Sequence, residues 1–443
     1  MPRMLRRTLL LLLAGVALAG AQSGIRLALT GDSIINRRIS VREDPAAQAV
    51  IDRIRAADAA FTNLETLVHN FDVPAAAQSG GTWMGSAPWV LDELKWAGFD
   101  LFSAANNHTY DYGPEGLRST LKELERAGVT YAGAGMNLAR ARAPGYLDTR
   151  KGRVALIGCA STFQTASMAG EQRPDLPGRP GLSPLRFTTT YTLPRAAFDE
   201  IRALARTDRA ARAEGDTLHF LGARFRAGAE RSVRTEPHAG DVAAIAASVR
   251  EARRQADWVI VSIHAHEGLP GDREQPAEFL TAFARAMIDA GADLFVGHGP
   301  HVLRGIEIYK GKPILYSMAN FIFENEMVRF QPAESYEQQD LPLTATPADY
   351  YDKRSANDTR GFPVDRENWE SIVAEVEFGA DRSLKAITAW PITLGYGQPR
   401  QRRGQPVAAS PADARRILER LRKLSEPFGT QVKVLAERAT IVP

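Results

Sequence analysis

Short apolar runs alternate with helical repeats along this chain, and most of the runs end in polar residues. "IRLALTGDS" ends near Gly31-Asp32, "AAFTNLET" at Glu65, and "FDLFSAANNH" at Asn107-His108. "RVALIGCAS" is a further run, "ADWVIVSIHAHEG" ends in His264 and His266, and "ADLFVGHGPH" ends in His298 and His301. Runs this short and this apolar predict strands covered on both faces. Between them, "DPAAQAVIDRIRAAD" opens with Asp44 as a cap and Pro45 in the first turn. "APWVLDELKWAG" stops at Gly98 and "GPEGLRSTLKELERAG" at Gly128. "DVAAIAASVREARRQ" and "PAEFLTAFARAMIDAG" follow the same plan, Gly291 ending the second. Strand and helix in regular alternation predict an α/β domain.

Two stretches break this rhythm. Residues 161–240 open with "GEQRPDLPGRPGLSPLRF", dense in Pro and Gly, and continue into an arginine-rich run, "RAAFDEIRALARTDRAARAEG", that reads as helix. So long an insertion is expected to act as a lid or binding element. Residues 330–366 are polar and aromatic with several prolines and read as an irregular insertion. Residues 367–443 predict a β-hairpin around "GADRS" and a final helix that Ser410 and Pro411 open.

The first 21 residues change the picture of charge and location. Arg3, Arg6 and Arg7 precede an apolar run from Leu9 to Ala19, and Ala19-Gly20-Ala21 fits a signal-peptidase site. The run is short against the ~20 residues a membrane span needs. The expectation is a cleaved signal peptide over 1–21 and a periplasmic or extracellular mature domain over 22–443, with an N-terminal membrane anchor as the alternative. The formal charge of +3 comes from those three arginines, which leaves 52 basic and 52 acidic residues in the rest of the chain. Such a neutral domain has no basic field for nucleic acid. Cys159 is the single cysteine, so no internal disulfide is available, and its apolar surroundings read as core.

The polar residues sit where α/β sheets bind ligands, beyond the carboxyl ends of strands. If the strands share one sheet, Asp32, Glu65, Asn107, His108, His264, His298 and His301 gather at one edge. Four of the chain's eight histidines are in that set. Carboxylates, an amide oxygen and imidazoles suit divalent Mn, Fe or Zn. Two such ions about 3.5–4 Å apart clamp a phosphoryl group and activate water. Each residue also has a plainer reading. Asp32 can cap a turn, Glu65 can be a charge at a helix start, "NNH" can be a satisfied turn, and His298 and His301 can be loop residues.

With "LTGDSI", "FTNLET", "SAANNHTYDYG", "VSIHAHEG" and "GHGPHVLRGIEIYKGKPILYSMANFIF" in this order, the chain resembles the CapA-type (PgsA-type) family, named for poly-γ-glutamate capsule synthesis. That family is similar to the calcineurin-like metallophosphoesterases. The resemblance implies a four-layer α/β/β/α metallophosphoesterase-like sandwich with a long insertion. It implies Asp32, Glu65, Asn107, His264, His298 and His301 as ligands of one or two divalent ions, and His108 as the catalytic histidine. The chain departs from the pattern in several places. The histidine of the superfamily's Asp-x-His is Ile34, and the acid bridge is Glu in "NLE" where the superfamily has Asp in "GDxxD". The last motif is spaced H-x-x-H where the superfamily has H-x-H. The residue after His298, often histidine in the CapA-type pattern, is Gly299. The typical "HWG" after the fifth strand reads "HAH", which adds His266. One ion, two ions with altered ligands, or none therefore stay open.

The first expectation is a metal-dependent hydrolase or transferase acting on an exported anionic polymer or its phosphorylated precursor, with a membrane-bound polymer synthase as a further partner. His108 would move the leaving-group proton, and Asp111 would orient it or merely end a turn. His266, Arg304 and Asn320 are candidate substrate contacts. Against these, Arg304 reads rather as a solvated loop charge, and Asn320 reads equally well as a strand-end hydrogen bond. The rival expectation is a non-catalytic envelope assembly protein that holds the polymer on a degenerate fold. A weaker one is hydrolysis of a poly-γ-glutamate amide by the same centre.

Overall fold

The computed structural model describes residues 24–442, and the expected signal peptide lies outside the described residues. Strand alternation builds the layers. In Ile25–Ile34, Leu27 and Leu29 turn inward with Phe61 and Leu101 to meet Leu156, Trp258, Ile260, Leu294 and Val296 of a second sheet. Ala28, Ala60 and Phe102 turn outward onto Val50 and Ile54 of helix Pro45–Arg55, Leu94 of Trp89–Ala97, and Leu117 and Leu124 of Gly113–Ala127. On the second sheet the alternate residues Val259, Val261 and Ile263 meet Val249 of helix Ala239–Gln255 and Phe283 of Glu278–Asp289. Period-two side chains thus give helix, sheet, sheet, helix, the expected four layers. Each large apolar side chain so buried contributes about 1.5–3 kcal/mol.

The larger sheet has 10 strands and the other six. In the first, Ile25–Ile34, Ala59–Leu64, Leu101–Ser103 and Thr130–Ala132 run parallel. In the second, Gly152–Ala160, Trp258–His264 and Leu294–His298 run parallel. The polar strand ends therefore come from two sheets and not from the single shared sheet expected. They still meet, because the sheets are stacked with their carboxyl edges on the same side.

Strand Ile25–Ile34 changes partner along its length. Ile25 to Leu29 pair antiparallel with Phe378 to Ala374, whereas Asp32 to Ile34 pair parallel with Asn320 to Phe323. Gly31 sits at the switch, where a Cβ would lie 1.7 Å from the Ala319 carbonyl oxygen. That same oxygen accepts the Asp32 N–H at 2.9 Å, so the missing side chain fixes the position of Asp32. Gly31→Ala is expected to cost about 3 kcal/mol or more through overpacking, read as a lower urea midpoint with an unchanged slope.

Glu370–Phe378 and Leu384–Thr393 pair as an antiparallel hairpin. Helix Pro411–Ser425, capped by Ser410, buries Ile417, Leu418, Leu421 and Leu424 in the core between the sheets. The insertion departs from expectation. The arginine-rich run is helical only over Arg195–Ala205, after which Arg212–Glu214 and Thr217–Phe220 form a hairpin in a five-stranded sheet. "TDRAARAEGD" offers no large apolar residue, so a longer helix there would have no face to bury. This sheet docks on helix Glu278–Asp289 by stacking Phe187 on Phe279 at 4.3 Å. Residues 330–366, expected to be irregular, contain the short helices Ala333–Glu337 and Pro347–Ser355.

Cys159 is fully buried, and burial pushes its thiol far up. The native protein is expected to leave a thiol-reactive dye unmodified until denaturant is added, because only the thiolate reacts. Rapid modification of the folded chain would contradict this.

Candidate metal centre

Two groups of ligand atoms converge at the shared carboxyl edge, each with its atoms within 4.8 Å of one another. Asp32, His264 and His298 form one, and Glu65, His266 and His301 form the other. The two carboxylates differ in their surroundings. Asp32 Oδ1 accepts from Asn63 Nδ2 at 2.8 Å, and Oδ2 accepts the Gly299 N–H at 3.0 Å. Burial pushes the Asp32 carboxyl up, but His298 and His301 beside it outweigh this and hold it well below the usual range. Glu65 is fully buried, and neither of its carboxylate oxygens has a hydrogen-bond partner. Burial, and next the charge of Asp32, push its carboxyl well up.

The imidazoles are oriented by their other nitrogens. His298 Nε2 shares a hydrogen bond with Ser262 Oγ at 2.8 Å, which turns Nδ1 to Asp32 Oδ1 at 3.4 Å. His301 Nδ1 donates to Asn320 Oδ1 at 2.8 Å, leaving Nε2 3.9 Å from Glu65 Oε1. His301 holds this pose with a positive φ of 60°, a backbone conformation uncommon for a residue with a side chain. His264 stands between the groups, Nδ1 3.9 Å from Asp32 and Nε2 3.9 Å from Glu65. Burial holds the His264 ring well below its usual value and takes His266 down to about 3, so both are neutral and able to ligate.

His108 completes the ring. Its Nδ1 donates to Asp111 Oδ2 at 2.6 Å, and its Nε2 lies 3.9 Å from Glu65 Oε1. Asp111 also accepts the N–H groups of Gly80 at 3.0 Å and Met84 at 2.8 Å, so its carboxylate is fixed by the 79–84 loop. Asn107 Nδ2 donates to the Gly80 carbonyl at 3.0 Å, leaving a buried Oδ1 without a partner.

The remaining candidates take other places. His266, expected to touch substrate, belongs to the Glu65 group. Asn320 orients His301 and donates to the Asn368 carbonyl at 2.8 Å. Arg304 is fully buried and donates to the main-chain oxygens of Arg273, Ala265 and His266, with burial pushing its guanidinium down to about 10. It holds the His266 loop from behind and has no face toward a substrate. Ile34 packs with Phe323 and Trp369 in an apolar cluster. Three contributors were not singled out from sequence: Asn63, Ser262, and Thr162, whose Oγ1 accepts the His266 N–H at 2.8 Å. The only signal for Asn63 is its place two residues before Glu65.

Gly299 explains two departures together. It has φ of 113°, and a Cβ there would lie 3.0 Å from the His266 ring. The imidazole that enters from position 266 fills the space a side chain at 299 would need.

The donor set fits divalent cations, since a buried carboxylate and a buried amide oxygen both lack partners beside neutral imidazoles.

Comparison with known proteins bears on the family. An uncharacterized protein of Sinorhizobium fredii, y4sH, is 35% identical over 439 residues, covering 95% of this chain and 94% of that one. The capsule biosynthesis protein CapA of Bacillus anthracis is 28% identical over 54% of this chain and 44% of its own length. A probable polyglutamine synthesis accessory protein of Mycobacterium tuberculosis is 29% identical over 55% of this chain and 50% of its own. Residues 26–325 match the family described as bacterial capsule synthesis protein PGA_cap, and the chain belongs to that family.

Proposed function

We propose that this chain is a metal-dependent hydrolase or transferase of the phosphoesterase type, working outside the cytoplasm on an anionic capsular polymer or its phosphorylated precursor. Glu65 carries the reading. It is a fully buried carboxylate with no hydrogen-bond partner, and it faces three imidazole nitrogens, of His108, His264 and His301, at 3.9 Å each. Burial and Asp32 oppose ionisation of such a carboxyl, and a cation beside it would offset that cost. Asp32, His264 and His298 would hold one divalent ion, and Glu65, His266 and His301 a second, with Asn107 Oδ1 beside them. Mn, Fe or Zn suit these ligands. Bound there, such ions supply Lewis acidity toward a phosphoryl oxygen.

The chain's own part is proton transfer. Asp111 keeps the Nδ1 proton of His108 in place, so Nε2 is the nitrogen turned to the centre and able to exchange a proton with a leaving group. Extracytoplasmic action is supported by the basic and apolar start of the chain, and a polymer-related role by the names of its relatives. The polymer synthase would then be a partner.

The test is elemental analysis of the mature chain purified without added metal, followed by assay of a chromogenic phosphodiester with manganese. One or two equivalents of metal with turnover are expected. The rival reading, a non-catalytic polymer-holding protein, is favoured by Ile34. Absent metal and absent turnover with retained polymer binding would replace the first reading with it.

A further inference from the structure

Residues 326–366 lie beyond the stretch that matches the family, and part of this segment walls the metal centre. Phe362 meets the His301 ring edge-on at 5.4 Å and Phe323 at 5.0 Å. Arg354 donates to Thr82 Oγ1, on the same loop that fixes Asp111. Phe362 also lines a cavity of about 220 Å³ with Tyr351, Arg354, Arg360, Glu326 and Asp365.

The two carboxylates of this cavity pair with arginines outside its lining. Glu326 is held by Arg403 at 2.5 Å, and Asp365 by Arg273 at 3.2 Å. Asp352 and Asp358 nearby are held by Arg400 at 2.9 and 3.2 Å. Arg354 and Arg360 have no carboxylate partner among the described residues. Arg360 donates only to main-chain oxygens, that of Arg354 at 2.9 Å and that of Lys353 at 3.4 Å. Tyr351 is 3% exposed, and its hydroxyl is buried without a hydrogen-bond partner. Two guanidinium groups on one small cavity, with the unused hydroxyl of Tyr351 buried in its wall, form a donor set that recognises oxyanions.

We propose that this cavity is an anion subsite beside the metal centre, which takes a carboxylate or phosphate group flanking the reacting bond of the substrate on Arg354, Arg360 and the Tyr351 hydroxyl. That the anion belongs to a substrate rests on the hydrolase reading above. Phe362 sets the spacing between the two sites, so the subsite selects substrates with a second negative charge next to the one at the metals.

The experiment is calorimetric titration, in EDTA, of the full mature chain carrying Glu65→Gln, so that anion binding directed by metal at either ligand group is removed. The probes are inorganic phosphate and, separately, a glutamate tetramer. At least one probe is expected to bind, and adding Tyr351→Phe or Arg360→Ala weakens it about tenfold or more with the melting temperature retained. Tyr351→Phe is the cleaner change, since it removes an atom that bonds to nothing. Binding of phosphate alone assigns a precursor phosphate, binding of the tetramer alone a polymer carboxylate, and binding of both the shared oxyanion chemistry. No binding of either probe, or affinities within about twofold across the variants, overturns the subsite. Turnover by the unmodified chain is scored separately. Turnover without probe binding removes the subsite alone, and probe binding without turnover removes the hydrolase reading alone.

Discussion

Glu65→Gln is expected to stabilise the metal-free protein and to remove the stabilisation that metal confers. The two effects have opposite signs because one carboxylate causes both. Without a cation, the Glu65 oxygens are buried with no donor, while the Asp32 charge stands nearby. A buried group left unsatisfied costs about 1–3 kcal/mol, and more when charged. The neutral amide keeps the shape and lowers that cost, so the melting temperature in EDTA should rise by a few degrees. With manganese at 100 times its dissociation constant, the unaltered chain gains about 2.7 kcal/mol, and the variant gains much less. Metal content after desalting should fall in parallel, and turnover should drop by more than the roughly 10–100-fold typical of a lost outer-sphere partner. Paired melting curves with EDTA and with manganese, alongside elemental analysis, check this. A variant that melts lower in EDTA and keeps the full metal content of the unaltered chain would remove Glu65 as a ligand.

His108→Ala should separate chemistry from metal binding. His108 stands at the rim of the centre and is fixed from outside by Asp111, which in turn holds two main-chain N–H groups. Loss of a general acid typically costs about 10²–10⁴ in rate, and that fall is expected in kcat with the metal content unchanged. Asp111→Asn should reproduce part of it, about 10–100-fold, because one of two accepting oxygens becomes an NH2 donor and the imidazole loses the charged acceptor of its Nδ1 proton. The measurement is steady-state phosphodiester hydrolysis set against metal content for all three chains. If His108→Ala lost its metal along with its rate, the residue would be a ligand and the proton-transfer role would go.

The α/β alternation could be read from the chain's apolar runs and helical repeats. The four layers followed only from the resemblance, because Leu27, Ala28 and Leu29 show a strand covered on both faces without telling one sheet from two. The meeting of Asp32, Glu65, His264, His298 and His301 followed from their common place at strand ends. The roles of His266, Arg304 and Asn320 did not follow, because a side chain's direction in a loop depends on neighbours distant in sequence. Nothing local tells that three main-chain oxygens will surround Arg304, or that Asn320 will face His301 across a left-handed residue. Asn63 and Ser262 were hidden for a related reason. Inside a strand they look like ordinary polar residues, and only the stacking of two sheets turns them toward the ligands. The arginine-rich run failed as a helix where its apolar residues ran out, although charge and alanine alone favoured one.

The crowding between Gly299 and the His266 ring bears on how relatives of this chain are compared. A search for histidine directly after His298 would score a ligand as lost here, although an imidazole stands in that very volume. In this chain the space beside His298 is occupied from the 266 loop, so counting candidate ligands column by column along the sequence would understate how many imidazoles this site holds.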